Sequence, residues 1–253
     1  MADSQNSSTR EQCLYMAKVA ELAERYNEMM NYMNKLVRAS VYPTSELTSE
    51  ERRLLSTAYY RVISMHRSAW RKMRSLEQNN DGNTNDDLVL VQEYRARIEA
   101  DISEICDGIL KLLDETLIPS ASSSESKVFY FITKGDHERY LAEIKGDDER
   151  REAAEKAMQS YQTAEQIALA DLPPKHPRRL GVALNFAVFH SEILKACESG
   201  CSKARLAYAA AHSDETQLPE ELQEESAAIM QRLRNNITFW DAQRTLEDYA
   251  VHI

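Results

Sequence analysis

"KVFYFITKGDHERYLAEI", residues 127–144, decides the fold class of this chain. Its first seven positions are rich in aromatic and β-branched side chains and could pass locally for a strand. The continuation KGDHERYLAEI reads as helix. The whole stretch is therefore expected to be one helix, and the chain then holds no strand.

Working outward, the flanking segments are helical too. "GDDERREAAEKAMQSYQTAEQIALADL" is amphipathic, with Asp148 and Glu149 near its start, where the helix dipole favours anions. "PPKHP" is a hard break, and Pro177 suits the first turn of the next helix. That helix contains "LGVALNFAVFHSEIL" (180–194), whose first ten positions are apolar except for Asn185. An amide there needs a partner. Two further patterns run roughly from Ser202 to Ala211 and from Glu220 to Trp240.

Upstream, Pro119 and "SASSSESK" end a helix over "VQEYRARIEADISEICDGILKLLDETLI". The polar run "NNDGNTNDD" (79–87) reads as a loop. Before it, Thr48 and Glu51 have capping-box spacing, and Leu54, Leu55, Ala58, Tyr59, Val62, Ile63, Ala69, Trp70 and Met73 follow a 3.6 period. A proline break at "SVYPTSE" separates this helix from two shorter patterns within residues 10–38. The tally is about nine helices. Six Gly and six Pro in 253 residues agree with long helices.

Thirty-one basic residues against 41 acidic ones give a net charge of −10. This opposes general binding to nucleic acid or anionic membranes and leaves room for a local basic pocket. No apolar run approaches the ~20 residues of a membrane span. The N-terminus lacks an apolar signal core, so a cytosolic address, with the nucleus as a second, is expected, with Cys13, Cys106, Cys197 and Cys201 reduced. Cys197, Cys201 and His190 lack the second ligand pair of a structural zinc site. No phosphate loop, nucleophile elbow or catalytic histidine spacing occurs. The expectation is no metal, no cofactor and no enzyme.

Helix faces carry the remaining signal. Tyr60, Arg67 and Arg71 share one face, and Arg139 precedes Tyr140, with Asp136 three residues upstream. Gly181, Asn185, Val188 and Glu192 form a stripe; Ile229, Arg232, Asn236 and Phe239 form another. Taken singly, each is more often surface or core than a site.

Taken together, "AERYNEMM", "SEERRLLSTAYYRVI", "EYRARIE", "ICDGIL", "LIPSASSSESKVFY", "KGDHERYLAEI", "HPRRLGVALNFAVFHSEIL" and "IMQRLRNNITFW" resemble the 14-3-3 family, in its order, from about Lys18 to Trp240. "LPPKHP" is similar to plant-type members. The resemblance implies an all-α fold of nine antiparallel helices, a cup-shaped protomer with an amphipathic groove. It places a single domain at 1–240 and a short tail at 241–253. It implies a dimeric adaptor, homodimer or heterodimer, that binds phosphoserine or phosphothreonine segments of client proteins. Guanidinium forks match a phosphate's charge and three acceptor oxygens. By the match, Arg67, Arg139 and Tyr140 bind phosphate, while Asn185 and Asn236 hold the client's main chain. Glu192 orients the basic cluster and Lys134 is a groove lysine. Leu184, Val188, Ile229, Phe239 and Trp240 belong to the apolar side of the groove.

The dimer interface implied is N-terminal, within residues up to about 38 and the helices that meet them. It pairs Arg25 with Asp101 and Glu28 with Arg97 across subunits, and adds apolar contacts at Val19, Ala23, Met73 and Leu76. Ala69 takes the place of a serine phosphorylated in some members.

Three departures stand out. Tyr60 replaces the phosphate-binding lysine, His66 replaces an arginine, and Arg232 replaces a leucine of the apolar wall. A divergent member with a weakened phosphate pocket, acting by heterodimerisation or phosphate-independent binding, is the alternative. A tetratricopeptide-like scaffold is the weaker one, because no repeat of ~34 residues is visible.

Overall fold

The structure, a computed structural model, describes residues 2–39, 46–79 and 84–251. The break around Pro43 and the centre of the polar loop fall outside these residues. The chain divides into two compact units, 1–120 and 121–253. Nine helices occur among the described residues, and no strand.

The first unit holds α1 (Ala2–Leu22), α2 (Tyr26–Ala39), α3 (Ser49–Gln78) and α4 (Asn85–Leu112). α4 runs on through a π-helical stretch, Leu113–Leu117, into the turn Ile118–Ser120. The predicted capping box forms: the Glu51 N–H donates to Thr48 Oγ1 (3.2 Å), and the Thr48 N–H donates to Glu51 Oε2 (2.8 Å). Glu51 also receives a bidentate pair from Arg10 on α1, at 2.9 and 2.7 Å. Burial alone would raise the Glu51 pKa; the bonds from Arg10 and Thr48 outweigh it and hold the carboxyl below its ordinary value. The periodic residues Leu54, Leu55, Ala58, Tyr59, Val62 and Ile63 are all buried. Tyr59 satisfies its hydroxyl on Asn34 (2.7 Å), and burial pushes its pKa to about 12.

The second unit holds α5 (Ser124–Ile144), α6 (Asp147–Asp171), α7 (Pro177–Glu192), α8 (Cys197–His212) and α9 (Glu220–Val251). "KVFYFIT" is helical, within α5, and Ser123 caps the start by accepting from the Ser126 N–H. The strand-like composition has a simple cause. α5 is covered on more than one side: Val128 packs among Ala164, Ala168 and Val182, and Phe129, Tyr130 and Ala142 are buried as well. A helix buried on several faces loses the one-sided apolar stripe that announces a helix in sequence.

Two glycines set close approaches. A Cβ on Gly135 would lie 2.9 Å from the Tyr161 ring, so α5 meets α6 there at backbone distance. A Cβ on Gly200 would lie 2.6 Å from the Ala187 carbonyl oxygen, fixing how near α8 comes to α7. The last helix does not stop at Trp240 as its pattern suggests. It continues to Val251, so most of the expected tail is helical.

Candidate functional site

The second unit carries a half-buried polar network where α5, α6 and α7 meet. Its centre is the Asp136 carboxylate. The Tyr161 hydroxyl donates to Asp136 Oδ1 at 2.6 Å. Asn185 Nδ2 donates to both carboxylate oxygens, at 3.1 and 2.9 Å. Arg139 reaches the same carboxylate at 3.5 Å, donates to the Tyr161 hydroxyl at 3.2 Å, and stands 3.6 Å from Glu192. Its guanidinium also lies over the Tyr140 ring, 4.6 Å from the centroid.

One helical turn separates Asp136 from Arg139, and two separate Asn185 from Glu192, so α5 and α7 each present two members on one face. Asp136 is the partner that the Asn185 amide requires. The Asn185 amide nitrogen is anchored on Asp136, which fixes the side chain and leaves its carbonyl oxygen as the group able to accept from a bound main chain.

Electrostatically the site is a fixed cation. Burial opposes the charged form of Arg139, yet Tyr161, Tyr140 and Asp136 raise its pKa well above the ordinary value. Burial, joined by the Asp136 charge, likewise pushes the Tyr161 pKa well up, so its hydroxyl remains a donor. Arg139 faces one inner carboxylate and the outer, half-exposed Glu192. The charge and the planar donors of such a guanidinium match the charge and acceptor oxygens of a phosphate, and the half-exposed Glu192 marks its outer side.

The α7 and α9 stripes flank one core cluster. Val188, Ile229 and Ile237 pack partly buried against Leu180, Leu184, Ala187, Leu233 and Trp240. Leu184 and Trp240 are themselves core residues, at 9% and 7% exposure, whereas Phe239 is 59% exposed. Asn236 and Lys134 are half-buried, and Arg232 is exposed.

In the first unit, α3 presents Tyr60, Ser64, Arg67, Ser68, Arg71 and Lys72 along one open concavity. Tyr60 is 58% exposed and Arg67 half-buried. The expected interface residues are also on this unit. Ala23, Leu76, Arg97 and Asp101 are exposed, Ala69 and Met73 half-buried, and Val19 sits at 37% exposure. Within the chain Arg25 bonds Glu28, while Asp101 stands 3.6 Å from His66. Tyr161 is the site residue that sequence reasoning missed. It lies inside an ordinary amphipathic pattern, and only the α5–α6 contact at Gly135 reveals it.

The model of the family described as 14-3-3 protein matches residues 16–241. The chain belongs to the 14-3-3 family. "14-3-3 protein 10" of Solanum lycopersicum is 54% identical over 243 residues, 95% of this chain and 96% of that protein. "14-3-3-like protein D" of Nicotiana tabacum is 52% identical over 243 residues, 95% and 97% of the two chains. "14-3-3-like protein G-BOX factor 14 kappa" of Arabidopsis thaliana is 51% identical, covering 95% and 98%. The all-α 14-3-3 fold accounts for the nine helices, and 14-3-3 proteins are adaptors, not enzymes. No helix among the described residues is long and apolar enough to cross a membrane.

Proposed function

We propose that this 14-3-3 chain is a dimeric adaptor that binds client segments carrying phosphoserine or phosphothreonine. The observation that supports it best is Arg139: a buried guanidinium clamped by Asp136 and Tyr161, with Asn185 fixed beside it on the same carboxylate. A cation held this way loses little freedom when phosphate arrives, which favours affinity. Arg139 and Tyr140 are the proposed phosphate ligands of the second unit; Arg67 and Tyr60 of the first are proposed as phosphate ligands from the family resemblance alone. Asn185 and Asn236 take the client's main chain, and Val188, Ile229 and Phe239 its apolar side chains. This reading treats 1–240 as one functional domain.

Tyr60 favours weaker binding than a lysine would give. A tyrosine hydroxyl supplies a hydrogen bond without positive charge. Loss of one charge-assisted bond, ~1.5–3 kcal/mol, corresponds to roughly ten- to a hundredfold. A member that works chiefly through a paired partner protomer is the second reading, and this substitution is what favours it.

For the dimer, the exposed apolar side chains of the first unit are the support: Val19 and Leu76, joined by Tyr15 and Leu22 on α1. Val19→Glu with Leu76→Glu should shift the sedimentation mass toward the monomer. The deciding test of function is a titration with a phosphoserine peptide and its unphosphorylated twin. Micromolar or tighter binding of the first alone supports the adaptor; equal binding of both overturns it.

A further inference from the structure

α9 displays two exposed arginines, Arg232 and Arg234, whose side chains have no partner among the described residues, and they stand on different sides of the helix. The Arg232 guanidinium forms no hydrogen bond or ion pair with any described residue. No carboxylate lies one turn away along its own helix, where Ala228, Ile229, Asn235 and Asn236 stand. Its neighbours on the fold behave differently. Arg139 has Asp136 and Glu192, Arg178 has Glu125 and Glu225, and Arg205 has Asp241. Arg234, the other arginine of this stretch, is two residues on and so about 200° round the helix.

The direction Arg232 faces follows from helix geometry. Leu233 and Trp240 point into the core and Ile237 lies partly buried against it. Glu225, Ile229, Arg232 and Asn236, at i, i+4, i+7 and i+11, lie together to one side of that core line. Glu225 pairs with Arg178 of α7 at 3.3 Å, and Arg178 in turn stands 3.7 Å from Glu125 of α5 and over the Phe129 ring. This side of α9 is therefore the side turned toward α7 and α5, which carry Asn185 and Arg139. Arg232 lies about 6 Å along α9 from Asn236, the length of about two residues of extended chain.

We propose that Arg232 makes this protein select clients bearing an aspartate or glutamate within a few residues of the phosphorylated one. The inference rests on the adaptor reading and adds a specificity determinant to the same groove. An extended client lying along α9 covers Arg232 and partly desolvates it. Opposite an apolar client side chain, that guanidinium loses water without a partner. Opposite a carboxylate, it gains a bidentate ion pair. The fixed cation Arg139 takes the phosphate, and the free one reads the neighbour.

The test is a set of labelled phosphoserine peptides in which aspartate or leucine is placed singly at each position on either side of the phosphoserine. Each is titrated, with its unphosphorylated twin, against the native chain and Arg232→Leu. The substitution is on the surface and leaves the core untouched. At one position or two adjacent ones, the native protein should prefer aspartate about three- to tenfold. That preference should shrink at high salt, and Arg232→Leu should abolish or reverse it. Phosphate-dependent binding with the same aspartate-to-leucine ratio in both proteins overturns this inference alone. Equal binding of phosphorylated and unphosphorylated peptides overturns the adaptor reading and this one with it.

Discussion

Asp136→Asn tests the network most directly, because it keeps the shape and removes the charge. The amide oxygen can still accept from Tyr161, now held at 2.6 Å. Its nitrogen, in place of Oδ2, would point hydrogens at the Asn185 nitrogen that donates to Oδ2 at 2.9 Å. At least one charge-assisted bond is lost, at ~1.5–3 kcal/mol. Arg139, whose side chain is 9% exposed, keeps only the outer Glu192 as counter-charge. Deleting one partner of a fully buried pair costs ~3–5 kcal/mol. With the oxygen retained and Glu192 in place, about 2–4 kcal/mol is expected. For a chain of this size that lowers Tm by roughly 5–15 °C. Phosphopeptide affinity should fall as well, since Arg139 and Asn185 both lose their orienting carboxylate. Differential scanning calorimetry and anisotropy titration read the two effects. A Tm change under roughly 2 °C with unaltered affinity would refute the claim that Asp136 organises the site.

Other outcomes follow from the same physics. Tyr60→Lys should tighten phosphopeptide binding about tenfold or more by adding a charge-assisted bond; an isothermal titration showing no gain would mean that Tyr60 takes no part. Gly200→Ala, which in an open helix would stabilise by ~1 kcal/mol, should instead destabilise by about 1–3 kcal/mol in urea unfolding, because its Cβ meets the Ala187 carbonyl at 2.6 Å. Burial lowers the pKa of His176, and burial with the nearby Lys203 lowers that of His190. Their native pKa values lie below the unfolded ~6.5, so this stability is present above that pH and is lost as pH falls through it. A stepwise drop in Tm from about pH 7 to about pH 5, blunted in His176→Gln, is the expected record.

Much of this protein was legible before any coordinates. The helix count, the Thr48–Glu51 cap and the inward face of α3 rest on local rules, since capping and 3.6 periodicity involve residues close in sequence. The family strings placed Arg139, Asn185 and Glu192 as members of one site. What joins those side chains was not legible. Asp136 was visible only as an acidic residue one turn before Arg139, and Tyr161 not at all, because their bond spans 25 positions and depends on the bare backbone of Gly135. Trp240 looked like a groove residue and is buried in the core, and α9 runs past it to Val251. Arg232 shows the same division. Sequence reveals that a cation stands where an apolar residue is expected, and only the packing of α9 shows it exposed, with no side-chain partner among the described residues. Short-range order is set by neighbours along the chain; which buried charge meets which partner is settled by helices that touch only once the chain has folded.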